Sequence, residues 1–458
     1  MIRPRPACLA LLVLFTSAVP AVAQPTGDLF RMALAGDAII TRRLSPYREP
    51  EFLRMVELIR AADVGIVNLE VLFHDYEPWP AHRSGGTYMR AEPALADELV
   101  WAGFDLVSLA NNHTGDYGVE GQRLTEKYVR EAGLVAAGTG ENLFAAREAR
   151  FLETHGGRVA LISVASTFTE HSVAGKPRGA VRGRPGLNPL RYSSQRVVTR
   201  EQIEAIRTGL VNAGMSAGQA GSNRLSVFGE VLTVGEEPGT RTTPNEEDMA
   251  EIAAVVRGAS RLADYVVVTI HSHETGRQRG PADFLVTFAH AMIDAGADAF
   301  FGHGPHYLRG IEIYNGKPIF YSLGDFVFQN ETLQRLPFEN FASYDLDDLA
   351  QVADFNAERY SNDTRGFPAN REIWESVIAI PVFRGETLVK VELHPITLGF
   401  GQPPAHRGRP MLADPELGQK IINDLIERSE RFGTEIQWAG GIGEVIVPGD
   451  SAGDPFFE

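Results

Sequence analysis

Cysteine is almost absent from this chain. The only one, Cys8, lies in an N-terminal apolar run, so everything after that run lacks both disulfides and thiolate ligands. A metal held there must be bound by imidazole, carboxylate or amide oxygen. Long apolar runs are also missing beyond the N-terminus, and none of those that remain is long enough to span a bilayer. At the N-terminus, Arg3 and Arg5 precede an apolar run from Ala7 to Val22, and Ala21-Val22-Ala23 before Gln24 has the small-x-small form of a cleavage site. These features predict a secretory signal peptide over residues 1–23 and a periplasmic or secreted protein. Pro20 interrupts the run, which argues against a membrane anchor, and Cys8 stands at its start, where a lipoprotein would need a cysteine at its end.

Positive charge is scarce as well: 43 Lys and Arg against 59 Asp and Glu give a net charge of −16. That balance excludes nucleic acid and anionic membrane as partners of the bulk surface. An anionic substrate therefore needs a local cationic site. No Gly-rich phosphate loop of the Walker type is present, so the chain is not expected to polymerise anything by itself.

With 458 residues and 44% hydrophobic content, the chain can bury one large core or two smaller ones. Its patterning alternates. A strand from about Leu29 ends at Gly36-Asp37, and helical spacing follows over residues 51–62. An apolar strand from Val64 ends at Asn68-Leu69-Glu70, and another helix covers residues 93–102. The next strand, from Phe104, ends at Ala110-Asn111-Asn112-His113, and a helix at 119–131 and strands at 134–137 and 159–164 continue the series. Further on, Tyr265–Ile270 runs into His271-Ser272-His273-Glu274, and Ala297–Phe301 into Gly302-His303-Gly304-Pro305-His306. A hairpin around Asn315-Gly316 then leads to Gly324-Asp325. Strand–helix alternation predicts an α/β fold, in which sites form at the carboxyl ends of strands.

Two segments break the rhythm. Residues 171–200 are rich in Gly, Pro and Arg, with one acid, Glu170, beside them; they read either as a solvated loop or as a cationic flap over an anionic substrate. Residues 333–368 are acidic and read as irregular. Near the C-terminus, 373–383 and 388–398 pair as antiparallel strands, 416–431 forms an amphipathic helix and 444–447 a short strand. The chemistry collects at five strand ends: Asp37, Glu70, Asn112 with His113, His271 with His273, and His303 with His306. One histidine after a strand is usually structural; five polar ends on one rim of a parallel sheet suit Zn, Mn or Fe. A bridging carboxylate would hold two ions that acidify a water for attack on a phosphoryl or acyl group, while a histidine protonates the leaving group.

The series Gly-Asp, Asn-Leu-Glu, Ala-Asn-Asn-His with Asp116 and Gly118, a strand-ending His, Gly-His-Gly-Pro-His and Ser-Leu-Gly-Asp-Phe resembles the CapA family of poly-γ-glutamate capsule synthesis. That family is in turn similar to the calcineurin-like metallophosphoesterases. The resemblance covers Phe30 to Phe328 and implies a four-layer α/β/β/α sandwich of metallo-dependent phosphatase type. It implies a domain over 28–400, with 401–458 packed on it as an extension. By the same resemblance Asp37 is a metal ligand, Glu70 the bridging carboxylate, Asn112 the ligand amide, His271, His303 and His306 the imidazole ligands, and His113 the proton donor. The cofactor would be one or two ions of Mn, Fe or Zn. Two departures bear on the ion count: Asp37-Ala38-Ile39 stands where the superfamily has Asp-x-His, and Glu70 where an Asp is usual.

Four further readings concern the surroundings of the site. His273 is a substitute ligand or substrate contact. Arg309 meets a substrate anion or pairs with Glu312, and residues 82–90 form a loop suited to substrate contact. His74 and Asp75 are expected at the surface, and Asp325 at a turn or behind the ligands. The implied function is a part in capsule or poly-γ-glutamate synthesis, export or processing, by metal-dependent hydrolysis of a phosphoester or amide. Its partners would be an anionic polymer or phosphorylated small molecule and membrane-bound capsule synthesis or export proteins, with no nucleic acid. A general periplasmic phosphatase or nucleotidase and a non-catalytic polymer-handling subunit are the rival readings.

Overall fold

The computed structural model of the chain describes residues 29–447; the signal peptide expected over 1–23 lies outside them. No described helix is long and apolar enough to cross a membrane. The α/β expectation holds, and the site-bearing strands divide between two sheets. In the ten-stranded sheet, Leu29–Ile39 lies between Val64–Leu69, its parallel neighbour, and Glu375–Arg384, which runs antiparallel to it. Leu106–Ser108 and Val135–Ala137 extend the parallel side, and Thr387–Thr397 extends the other. The six-stranded sheet has Ala299–His303 and Tyr265–His271 as parallel neighbours, with Arg158–Ala165 beside the latter. A single rim of one parallel sheet is thus corrected to two rims facing each other. Hydrophobic period and strand length cannot distinguish those cases, because strands buried on both faces read alike in either.

Three cores hold this arrangement. Met32, Leu34, Val64, Ile66 and Leu106 of the larger sheet pack against Leu161, Val267, Ala299 and Phe301 of the smaller. On the far face of the larger sheet, Phe52, Met55, Val56 and Ile59 of the helix Pro50–Arg60 are buried, as their spacing predicts. On the far face of the smaller sheet the helices Glu246–Ala259 and Asp283–Asp294 contribute Ile252, Val256, Phe284 and Phe288. Ile421, Ile422 and Leu425 of the helix Pro415–Ser429 join the core between the sheets.

The irregular segments are more ordered than their composition suggested. Tyr192–Val198 is a strand of a separate four-stranded sheet with Arg224–Val227, Glu230–Val234 and Gly239–Pro244. Packed against the helix Arg200–Asn212, that sheet has its own small core of Ile203, Leu210, Leu225 and Leu232. The residues Ser193 to Arg196 are polar and exposed, so the alternation that reveals a strand is missing there. Within 333–368 the short helices Phe338–Ala342 and Val352–Arg359 form, with Phe355 and Tyr360 buried.

Register carries the fold to its functional end. Asp37 pairs with Asn68 on one side and with Asp325 on the other, and the ladder shifts at Asp37 on both sides. Such irregularities re-aim side chains at the end of a strand. His271 pairs directly with His303. Gly36 makes the crossing possible: a Cβ there would lie 1.9 Å from the Gly324 carbonyl oxygen, the same oxygen that accepts the Asp37 N–H at 3.0 Å. Gly36→Ala should therefore push two backbones apart. The expected cost is about 1–3 kcal/mol, as for other overpacked sites, read as a lowered midpoint in chemical unfolding.

Candidate metal centre

Asp37 sits where the two sheets meet and is fully buried. Its Oδ1 accepts from Asn68 Nδ2 at 2.7 Å and its Oδ2 from the Gly304 N–H at 2.8 Å. His303 Nδ1 is 3.2 Å and His271 Nδ1 3.6 Å from Oδ1; His306 Nδ1 is 3.7 Å from Oδ2. Gly304 has φ +112°, and a Cβ on it would crowd the Ser272 nitrogen at 2.9 Å and the His271 ring at 3.2 Å. Glycine is required there for the backbone to reach Asp37. His306 also adopts a left-handed φ of +62°, and its Nδ1 is 2.9 Å from Asp325 Oδ1.

The hydrogen bonds determine which nitrogens face the centre. Thr269 Oγ1 spends its proton on the Phe301 carbonyl at 2.9 Å, so it must accept from His303 Nε2 at 2.8 Å. His303 Nδ1 then presents a lone pair in the neutral ring. That lone pair points toward Asp37 Oδ1 and toward His271 Nδ1, 3.1 Å away. His271 Nε2 lies 2.9 Å from His273 Nε2 and 3.7 Å from Glu70 Oε1.

Glu70 is fully buried, and neither carboxylate oxygen has a hydrogen-bond partner. Asn112 Nδ2 donates to the Gly85 carbonyl at 3.1 Å, which turns its Oδ1 the other way, buried and unpartnered. Asp325 Oδ2 is likewise unpartnered. Buried acceptors left this way are costly unless a cation or its water shell meets them.

Three groups have ligand atoms within 4.8 Å of one another: Asp37 with His271 and His303, Glu70 with His273 and His306, and Asp37 with His306 and Asp325. The donor set is hard oxygen plus imidazole, which suits Mn, Fe or Zn, and sharing of Asp37 and His306 between groups gives room for one ion or two. Burial pushes the Glu70 carboxyl well above its usual range, with the Asp37 and Asp325 charges adding to it. Burial also raises Asp325, to about 7, against the pull of His306. On Asp37 burial acts upward, but the neighbouring His271 and His303 outweigh it and the pKa falls well below normal. Burial lowers His271 to about 4 and lowers His273 as well, so both rings are neutral and able to ligate near neutral pH.

His113 stands at the edge of this cluster, with Nε2 3.8 Å from Glu70 Oε1. Its Nδ1 donates to Asp116 Oδ2 at 2.7 Å, which leaves Nε2 as the nitrogen that exchanges protons. Asp116 is held in turn by the Met89 and Gly85 N–H groups, both at 2.8 Å.

Of the strand-end residues singled out in the sequence, Asp37, Glu70, His271, His303 and His306 come together, with His273 among them and His113 at the edge, while Asn112 holds the Gly85 carbonyl and keeps a buried, unpartnered oxygen. Other placements differ from expectation. Asp325, expected at a turn or behind the ligands, offers a carboxylate to the cluster itself. Its parallel pairing with Asp37 is a long-range contact that local patterning does not encode. Arg309, expected at a substrate anion or Glu312, is buried, and its guanidinium donates to the carbonyls of Ser272, His273 and Glu274. It fastens the His271–Glu274 segment, while Glu312 meets His290 and Tyr321.

Asn68, Asn111 and Thr269 were missed. Asn68 is two residues from Glu70 and Thr269 two from His271, on the same faces by strand period, so a polar residue inside an apolar strand was the available signal. Asn111 ties the strand ends together, donating to the Leu69 carbonyl at 2.8 Å and accepting from the His113 N–H at 3.1 Å.

Two sheets with their strand ends opposed, and a buried set of imidazoles and carboxylates where they meet, define an α/β protein with a candidate metal centre. The family model for the bacterial capsule synthesis protein PGA_cap matches residues 31–330, and the chain belongs to that family, known also as the CapA family. An uncharacterized protein of Sinorhizobium fredii, y4sH, is 39% identical over 426 residues, 89% of this chain and 91% of that protein. The capsule biosynthesis protein CapA of Bacillus anthracis is 26% identical over 320 residues, covering 68% of this chain and 63% of CapA. A probable polyglutamine synthesis accessory protein of Mycobacterium tuberculosis is 30% identical over 274 residues, 58% of this chain and 56% of that protein.

His74, expected at the surface, is fully buried beneath the 75–90 loop. Its Nδ1 accepts the Tyr76 N–H at 3.1 Å, its ring lies edge-on to Tyr117 at 4.2 Å, and its carbonyl accepts from Arg90. Burial lowers its pKa to about 4, with the Arg90 charge adding to the effect. The unfolded chain protonates this ring near its ordinary 6.5, so between about 6.5 and 4 the unfolded state binds more protons and folding stability drops as the pH is lowered. His74→Asn, whose amide oxygen can still accept from Tyr76, should be less stable than the parent at pH 8 and lose less between pH 6.5 and 4.5. Urea unfolding at the two pH values reads the difference; an unchanged pH slope would remove His74 from the account.

Proposed function

We propose that this chain is a secreted or periplasmic metal-dependent hydrolase that acts on a phosphoester or amide bond during capsule or poly-γ-glutamate synthesis, export or processing. Family membership supports the process. The observation that carries the chemistry is the grouping of the unpartnered, buried Glu70 and Asp325 oxygens with imidazoles, with a further buried, unpartnered oxygen on Asn112. Cores on both faces of both sheets support reading the fold as the four-layer α/β/β/α sandwich that the resemblance implies.

Residues Asp37, Glu70, Asn112, His271, His303, His306, Asp325 and His273 would hold one or two ions of Mn, Fe or Zn. When bound, such ions neutralise this charge, polarise the substrate and acidify a water. The protein's own groups do the rest. Thr269 and Asn68 orient His303 and Asp37, and Arg309 anchors the segment carrying His271 and His273. Asp116 fixes His113 so that Nε2 delivers its proton toward the Glu70 side, where a leaving group would depart. The buried walls keep bulk water from the reacting atoms.

Elemental analysis of protein purified without chelator tests this directly. We expect stoichiometric Mn, Fe or Zn, lost in His303→Ala. In His113→Ala the metal should remain while turnover of a phosphoester or of a glutamate polymer falls by about 10²–10⁴-fold, the range for loss of a general acid. Metal-free protein with undiminished activity would sink the reading. Turnover of simple phosphomonoesters far above that of the polymer would instead favour a general phosphatase.

A further inference from the structure

A cavity of about 720 Å³ is lined by Arg83, Ser84, Phe168, Thr169, Glu170, His171 and Arg184. Its walls are built onto the catalytic turn. His171 Nε2 donates to the Gly115 carbonyl at 3.0 Å, and a Cβ on Gly115 would lie 2.6 Å from the Ser172 side chain. The turn from Ser84 brings Gly85 against Asn112, and the Gly86 backbone against the Cε1–Nε2 edge of His113. A Cβ at Gly86 would be 3.6 Å from Cε1 and 3.9 Å from Nε2. The chain next to two of the cavity's lining residues, Ser84 and His171, thus adjoins the turn that carries Asn112 and His113.

Apart from Arg178 and Arg182, and from Arg196 and Arg200, which pair with Glu230 and Glu204 respectively, the charges of the 171–200 segment divide into two sets. Lys176 pairs with Glu247 and Glu251, and Arg191 binds Asp248 with two hydrogen bonds of 2.7 Å. These acids occupy the first turns of the helix Glu246–Ala259 and also hold Arg147. That set clamps the segment to the body of the protein. Arg184 belongs to the other set: its Nε donates to the Val173 carbonyl at 2.9 Å, and among the described residues no carboxylate lies within 4 Å of its guanidinium or of Arg83. In a chain of net charge −16, two exposed guanidiniums that line one cavity without a carboxylate partner mark a local cationic site, from which Glu170 subtracts one charge.

We propose that Arg83 and Arg184, with His171 between them and the catalytic turn, form a second anion subsite that takes an anionic group of the substrate next to the one at the metal centre. The substrate is then a chain bearing repeated carboxylates or phosphates. Guanidinium forks suit either group. This rests on the hydrolase reading for the position of the first group, but the binding it predicts does not need turnover.

The test uses the mature chain loaded with Mn and calorimetric titration with four probes: a glutamate hexapeptide, tripolyphosphate, free glutamate and orthophosphate. In Arg83→Gln/Arg184→Gln the chain probe that the parent binds more tightly should lose about tenfold or more in affinity, as for lost charge-assisted contacts. Orthophosphate or free glutamate should change less than twofold. Whichever chain probe binds the parent more tightly identifies the carboxylate or the phosphate source. Arg83→Lys/Arg184→Lys, which keeps both charges, should retain most of the affinity. Equal binding of chain probes by parent and Gln variant overturns the subsite, as does an equal loss in the Lys and Gln variants. Arginine-dependent binding without cleavage of any probe would leave the subsite standing and remove the hydrolase.

Discussion

Everything at the functional end of this protein depends on burying Asp37, Glu70 and Asp325 together, out of reach of solvent. Three carboxylates this close repel one another and lack hydration, and the raised Glu70 and Asp325 expresses that cost. The surrounding groups act on it in different ways. Asn68 and the Gly304 N–H stabilise the charge on Asp37. Thr269 turns a lone pair of His303 inward, and Arg309 holds the His271–Glu274 backbone without approaching the carboxylates. The remaining demand is for positive charge at the centre, and the unpartnered oxygens are where it is felt.

The scaffold meets this demand with backbone more than with side chains. Asp37 is located by its N–H on the Gly324 carbonyl and by its parallel pairing with Asp325. Gly36, Gly304 and Gly324 remove the side chains that would keep these main chains apart. The ladder shifts at Asp37 turn a strand end into a ligand position. This is expensive local geometry, sustained by the continuous apolar cores on either side of each sheet.

How much of this was legible in the sequence follows from the range of each interaction. Helix periodicity located Pro50–Arg60 to within a residue or two, because that signal is local. Strand ends picked out Asp37, Glu70, Asn112, His113, His271 and His303, since an apolar run stopping at a ligand-type residue is also a local pattern. Two sheet layers were implied by the family resemblance alone; which strand joins which sheet was hidden in the residues, because buried strands look alike in either. Asp325 was undervalued because its significance comes from pairing with a strand nearly three hundred residues earlier. Arg309 was misread for a different reason: a guanidinium that caps three carbonyls and one that binds an anion have the same sequence signature.

The ligand-type residues are contributed by distant parts of the chain: Asp37, Glu70 and Asn112 from the larger sheet's early strands, His271 and His303 from the smaller sheet, and Asp325 from a strand that returns to the first. Neither sheet alone presents a complete donor set. An ion seated there would be a clasp across the seam between the sheets, because the group of Asp37 with His271 and His303 already draws on both. The donor set would then exist only where the two sheets have docked, so metal affinity would be tied to the seam between them and not to either sheet alone.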